Sequence, residues 1–236
     1  MSSFTICALL YGDHFSLAQR CLEPLFKLSA SGAVELRIGM NEVCIQTKEY
    51  VAANSDSADI VTESNPQVYK YPMMRRLFNE KPITSDYVMW FDDDSYIKDT
   101  DLSFWLRSVS SQMTSCDMLG SVYVIPYGND QKSWCRTQPW YKGKPIPDKP
   151  KFATGGWWCI KTEVIKRFDW PTVNLKHCGG DVALGVLLEQ NNLTLRHFKD
   201  GVAVNADDSG KESAAPRRGA SRTEKPIGKG FVGPSL

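Results

Sequence analysis

From residue 4 to residue 91 the chain alternates short apolar runs with longer segments whose apolar residues recur every three to four positions. Residues 4–11, 34–40, 60–62 and 87–91 read as strands, the first and last of them apolar almost throughout and so buried. Residues 16–28, 43–53 and 68–78 read as helices; in the first, Leu17, Cys21, Leu25 and Leu28 share one face and Pro24 marks a kink point. Strand and helix in alternation predict an α/β fold: a mixed, mostly parallel sheet flanked by helices on both faces. In such sheets ligands bind beyond the carboxyl ends of the strands. That rule selects Tyr11, Gly12 and Asp13 after the first strand, Asn41 and Glu42 after the second, and Asp92, Asp93 and Asp94 after the fourth.

At 236 residues the chain is long enough for one sizeable core and short for two, so a single domain is expected over residues 1–206. Residues 102–113 read as a helix, 118–125 as a strand, 162–168 and 181–190 as helices, and 193–198 and 202–204 as a strand pair. Between them, residues 126–151 read as a long loop, of the kind that is functional or disordered in a compact domain. Residues 207–236, rich in Gly, Ser, Pro and charge, are expected to form a flexible basic tail. A net charge of +1 excludes a chain that binds polyanions over its whole surface and leaves only local basic patches. The seven cysteines are odd in number, scattered and set in apolar runs, which predicts buried thiols rather than a disulfide framework. No stretch is long and apolar enough to span a bilayer and no basic, cleavable leader opens the chain, so a cytoplasmic protein without membrane contact is expected.

Three consecutive aspartates after a buried strand are costly, because neighbouring carboxylates repel and raise one another's pKa. A divalent cation removes that cost. Carboxylate oxygens select hard ions, Mg²⁺ or Mn²⁺, which keep positions open for phosphate oxygens. In extended backbone Asp92 and Asp94 share a side and Asp93 takes the other. The competing reading is a solvated acidic turn.

A buried strand ending in Phe91-Asp92-Asp93-Asp94, followed some sixty residues on by Phe152-Ala153-Thr154-Gly155-Gly156 and then by Cys178-Gly179-Gly180-Asp181, resembles the GT-A glycosyltransferases, in particular the inverting fringe-like and family 2 types. The resemblance runs over about residues 4–205. It implies a nucleoside diphosphate sugar donor and Mn²⁺ or Mg²⁺ as cofactor, with Asp92 and Asp94 serving nucleotide and metal and Asp94 the direct ligand. It also implies that Asp181 is the catalytic base, and that the metal site is completed by His197, or else by Asn205 or Asp207. The lack of a membrane anchor fits a bacterial or viral relative within that resemblance.

The residues themselves agree. Asp181 follows two glycines at a helix start, where a carboxylate can approach an acceptor hydroxyl, although aspartate is also a favoured helix cap. Gly155 and Gly156 would let backbone amides approach a sugar while Trp157 or Trp158 stacks on it. Tyr11, Gly12, Asp13 and Asn41 are expected to line the nucleotide pocket, with Lys70, Arg75 or Arg76 from the preceding helix, Arg75 foremost, meeting the diphosphate.

The loop interleaves Lys132, Arg136, Lys142, Lys144, Lys149 and Lys151 with Trp134, Trp140 and Tyr141. Cations mixed with aromatics suit a phosphate backbone with stacked bases. Trp140, Lys142 and Lys144 are therefore expected at the acceptor site, and the favoured acceptor is a 5-hydroxymethylpyrimidine in duplex DNA, drawn from the stack as in phage base-modifying glycosyltransferases. The rivals are a glycan or protein hydroxyl as acceptor, a nucleotidyltransferase, and a sugar-binding module without catalysis. Against the nucleotidyltransferase, Tyr11-Gly12-Asp13-His14 is no glycine-rich phosphate loop.

Overall fold

The computed structural model describes residues 3–176, 179–207 and 209–212. In chain order the main elements are β1 (Phe4–Gly12), α1 (Phe15–Ala30), β2 (Glu35–Val43), α2 (Ile45–Ala53), β3 (Ile60–Ser64), α3 (Lys70–Asn79), β4 (Tyr87–Asp92) and β5 (Tyr96–Ile97). They continue with α4 (Leu102–Met113), β6 (Met118–Val124), α5 (Asn129–Arg136), β7 (Lys151–Lys161), α6 (Thr162–Phe168), α7 (Gly180–Gln190), β8 (Leu195–His197) and β9 (Val202–Ala203).

Seven strands form one sheet in the order β3-β2-β1-β4-β7-β6-β8. The first four are mutually parallel; β7 runs antiparallel to both of its neighbours, β4 and β6, and β8 is parallel to β6. This is the single-domain α/β architecture with a mixed, mostly parallel sheet that the alternation predicts. A small second sheet pairs β5 with β9.

Period-two alternation sorts each central strand between two apolar layers. From β1, Phe4, Ile6, Ala8 and Leu10 face α1 and α4, whereas Cys7 and Leu9 face α3 and α7. From β4, Met89 and Phe91 take the first side, Val88 and Trp90 the second; β7 repeats the pattern with Trp157 and Cys159 against Trp158 and Ile160. Helix α1 runs unbroken through Pro24. The six described cysteines are free and five are buried, as their apolar settings predict; Cys178 lies outside the described residues.

The segment expected to be a loop is partly ordered helix: α5 lies inside it, and its turns pack on α7. The chain also stays attached to the domain past residue 206. Ala206 bridges to Glu212, whose carboxylate pairs with Lys199 at 2.9 Å and Lys98 at 3.5 Å. The rest of the expected tail lies outside the described residues. Among the described residues no helix is long and apolar enough to cross a membrane.

Candidate active site

The end of β4 meets β1 on one side and β7 on the other, so the three aspartates enter three different environments. Asp92 is the last residue of the strand and faces the α3 layer, on the same side as Trp90. Its Oδ1 accepts the Trp90 indole N–H at 2.9 Å and its Oδ2 accepts from Lys70 Nζ at 2.6 Å. Asp93 is almost fully buried and turns towards β1, where Oδ2 accepts the Tyr11 amide at 3.4 Å. Asp94, also buried, lies in the turn that follows; its carbonyl accepts the Ala206 amide at 2.7 Å and its Oδ1 lies 3.3 Å from the Ser95 hydroxyl.

Antiparallel pairing carries β7 across this cluster. Phe91 is opposite Trp157, so Gly156 and Gly155 pass the aspartates directly. A Cβ on Gly155 would stand 2.8 Å from Lys70 Nζ and 3.7 Å from Asp181 Oδ2, whereas one on Gly156 would stand 2.5 Å from Ser95 Oγ and 2.6 Å from Asn205 Oδ1. The two glycines therefore open two notches on opposite faces of the strand, and the chain's own polar groups occupy them. On one face lie Asp92, Lys70 and Asp181; on the other lie Ser95 and Asn205, next to Asp94. Asn205 reaches its notch in a left-handed conformation (φ 55°), with its amide held by Nδ2 donating to Thr154 Oγ1 at 3.2 Å.

Asp181 is the second residue of α7. Gly179 caps this helix in a left-handed turn (φ 73°), and Gly180 must lack a side chain because a Cβ would lie 2.2 Å from the Tyr71 ring. The carboxylate accepts the Val182 amide at 3.0 Å at the positive end of the helix. Desolvation raises the Asp181 pKa above its ordinary 3.8; the Lys70 ammonium and the amides of Val182, Asp181 and Gly155 oppose that rise. A carboxylate displaced towards neutrality is suited to taking and returning a proton.

Other expected site residues stand elsewhere. Arg75 is spent on a two-point ion pair with Asp169, at 2.8 and 3.1 Å, and on the Pro171 carbonyl. Five residues separate it from Lys70, which turns it about 140° around the helix, so Lys70 reaches the site and Arg75 does not. Asn41 uses its amide to hold the backbone of Val68, donating to the carbonyl and accepting the N–H at 2.9 Å. Tyr11, Gly12 and the half-exposed Asp13 do lie at the carboxyl end of β1; Gly12 takes φ 65° at a bulge, and the Tyr11 ring meets His14 edge-on at 5.9 Å. His197 cannot join Asp94 in a metal site. It lies on β8, three strand spacings or about 14 Å from β4, and its Nδ1 accepts the Val122 amide at 3.0 Å.

The tryptophans correct the acceptor assignment. Trp157 is fully buried among Phe91, Trp105 and Phe198, and Trp158 is buried and stacked on Trp90 at 6.1 Å. Both faces of β7 are covered, so neither ring is open to a sugar. Trp140 is 2% exposed in the layer beneath α7, and Lys144 donates to the Glu189 carbonyl and to Asn192 Oδ1 at the end of that helix. Lys142 remains exposed, as do Arg136, Lys149 and Lys151.

No protein-family model matches the chain, and a comparison with curated proteins finds no match. Solved structures do match in fold. The mannosyltransferase PcManGT from Pyrobaculum calidifontis, in complex with GDP-Man and Mn²⁺, is 11% identical with a TM-score of 0.58, covering 84% of this chain and 55% of its own. TarS of S. aureus (residues 1–349) is 14% identical with a TM-score of 0.53, over 84% and 58%. A nucleoside-diphosphate-sugar pyrophosphorylase from Vibrio cholerae is 10% identical with a TM-score of 0.50, over 84% and 94%. The chain thus spans a little over half the length of PcManGT and of the TarS 1–349 fragment, and it has the GT-A fold.

Proposed function

We propose that this chain transfers a sugar from a nucleoside diphosphate sugar to an acceptor hydroxyl, with inversion, using Asp181 as the base. The observation that carries this reading is the meeting of Asp181, Lys70 and Asp92 around the missing side chain of Gly155, at the carboxyl end of the sheet. Asp181 would accept the proton of the acceptor hydroxyl, whose oxygen attacks the anomeric carbon from the side opposite the diphosphate as the bond to the diphosphate breaks and the nucleoside diphosphate leaves. The fold it shares with transferases crystallised with GDP-Man or UDP-GlcNAc supports a nucleotide sugar as donor. Tyr11, Gly12 and Asp13, at the carboxyl end of β1, would contact the nucleotide.

A divalent cation would be held beside the second notch. Asp94, Ser95 Oγ and Asn205 Oδ1 offer hard oxygens beside Gly156, where a Cβ would meet the last two at 2.5 and 2.6 Å. Among the described residues no three His, Cys, Asp or Glu side chains form a metal cluster; Mg²⁺ or Mn²⁺ held here would keep its other positions for water and phosphate oxygens. Asp94 and Asn205 would hold the ion, and when bound it would offset charge on the diphosphate. Asp94→Asn should remove the Mn²⁺-dependent part of nucleoside diphosphate binding in calorimetry; unchanged Mn²⁺ dependence would sink this assignment.

A 5-hydroxymethylpyrimidine in duplex DNA as acceptor rests on Arg136, Lys142, Lys149 and Lys151, which stay exposed. The burial of Trp140 and the anchoring of Lys144 favour a glycan or protein hydroxyl instead. Donor hydrolysis and transfer, measured with Mn²⁺ across nucleotide sugars and with hydroxymethylated DNA, glycans and peptides as acceptors, separate these readings. Sugar transfer to any of them supports the proposal. Formation of a nucleotide sugar from a nucleoside triphosphate and a sugar 1-phosphate, without transfer, would overturn it in favour of a nucleotidyltransferase.

A further inference from the structure

Lys70 opens α3, following Tyr69, whose extended backbone caps the helix without a side-chain hydrogen bond. Its side chain runs inward over the Trp90 ring, with Nζ 5.7 Å from the centroid, and is only 14% exposed. There the ammonium donates to Asp92 Oδ2 at 2.6 Å and to the Gly155 carbonyl at 2.8 Å. Across the Gly155 notch it faces Asp181. One cation thus touches the end of β4 and the middle of β7 and faces the first turn of α7, three elements far apart in sequence.

This position is not that of an ordinary surface ion pair. An exposed lysine loses little when its partner is removed. Here the charge is largely withdrawn from water and its acceptors are fixed by the sheet, so its field on nearby groups is weakly screened. Among the described residues, Asp181 is faced by Lys70 from α3, by the Gly155 amide from β7, by its own helix amides and by Tyr127 from the segment after β6. Lys70 is the one full positive charge in that set. Tyr127, which shares a hydrogen bond with Cys135 Sγ at 3.3 Å, is driven by burial towards staying neutral and offers no compensating charge.

We propose that Lys70 is a positioning residue for the transfer reaction: by binding Asp92 and the Gly155 carbonyl together it locks β4 to β7, and it holds a permanent positive charge against Asp181. The carboxylate is then ionised and fixed in place when an acceptor hydroxyl arrives, in spite of its crowded surroundings. The role as base rests on the transfer reading above; the charge link to Asp181 does not, and the test separates the two.

The test compares wild type with Lys70→Met, Lys70→Gln and Lys70→Arg. The Asp181 carboxyl is followed directly by ¹³C NMR, its signal assigned by its loss in Asp181→Asn. Removing an opposite charge at this range should move the Asp181 titration midpoint up by about 1 pH unit or more in Lys70→Met. Lys70→Gln, which keeps a hydrogen-bond donor for the Gly155 carbonyl without charge, should move it in the same direction and carries the test if the methionine variant fails to fold. Lys70→Arg should stay close to wild type. In parallel, kcat of the uncharged variants should fall and the acid limb of its pH profile should follow the NMR midpoint, with the donor KM little changed. An unmoved midpoint in a folded uncharged variant overturns the proposal. A raised donor KM with an unchanged pH profile also overturns it, in favour of Lys70 as a donor ligand. If the midpoint moves while no variant, wild type included, transfers any sugar, the charge link stands and the transfer reading fails.

Discussion

Two stretches of this chain are rich in polar groups and aromatics, and the fold uses them in opposite ways. At the end of β4, charged and polar groups from β4, β7, α3 and α7 converge on two notches left by Gly155 and Gly156. In residues 126–150, similar residues are consumed by packing. Trp140 fills the layer under α7, Lys144 binds the last turn of that helix, Gln190 accepts the Lys142 and Lys144 amides at 3.2 and 3.1 Å, and Lys132 pairs with Asp148. Residue type does not separate a site from a strut. What separates them is whether charged groups from several elements meet one another, as Lys70 and Asp92 do, or are taken up one by one by the end of a single helix.

That contrast can be broken by substitution. Asp181→Asn should keep donor binding and lower turnover by a factor on the order of 10² to 10⁴, the usual contribution of a positioned general base; a near-normal rate would reduce Asp181 to a helix-start residue. Trp140→Ala should cost about 3–5 kcal/mol of stability, as for a fully buried large ring. In urea denaturation a stable Trp140→Ala protein with weakened DNA binding would instead return the loop to nucleic-acid recognition.

A third comparison reads pH. The Asp181 pKa is raised in the folded state, so its ionisation opposes folding: the cost is absent below the ordinary value of 3.8 and complete once pH exceeds the folded value. Asp181→Asn removes the cost. The difference in melting temperature, variant minus wild type, should therefore grow as pH rises from about 3.8 towards neutrality. A difference flat in pH would mean that the carboxylate is not penalised by its surroundings. The smallest effects belong to the loop cations. Lys144→Ala should cost about 0.3–1 kcal/mol through its contacts at the C-terminal end of α7, and Lys142→Ala, exposed, should stay within about 0.5 kcal/mol. Equal and larger losses on DNA binding from both would argue for a phosphate-tracking surface.

Much of the fold is legible in the sequence because local pattern and burial coincide there. Residues 4–11 and 87–91 are apolar on both faces and become the centre of the sheet; α1 shows its face through Leu17, Cys21, Leu25 and Leu28. Asp92–Asp94 and Asp181 stand out by chemistry, and the carboxyl-edge rule places the first three at one end of the sheet. Lys70 is harder to choose, because nothing local distinguishes it from Arg75 and Arg76 until the helix phase relative to β4 is known.

What tertiary structure alone decides are matters of partner and distance. Arg37 lies in an apolar run and is fully buried, because its guanidinium reaches the Leu77 and Lys81 carbonyls at the end of α3 while pairing with Glu35. Strand β7 is obscured by its paired glycines, which break the apolar rhythm; they are tolerated because the strand is held between β4 and β6 and side chains from elsewhere fill the gaps. The family resemblance leaves His197, Asn205 and Asp207 as alternative metal ligands. Strand order puts the first at the far edge of the sheet and the β5–β9 pairing puts the second beside Asp94, since a ligand set depends on through-space distance, which sequence separation does not encode.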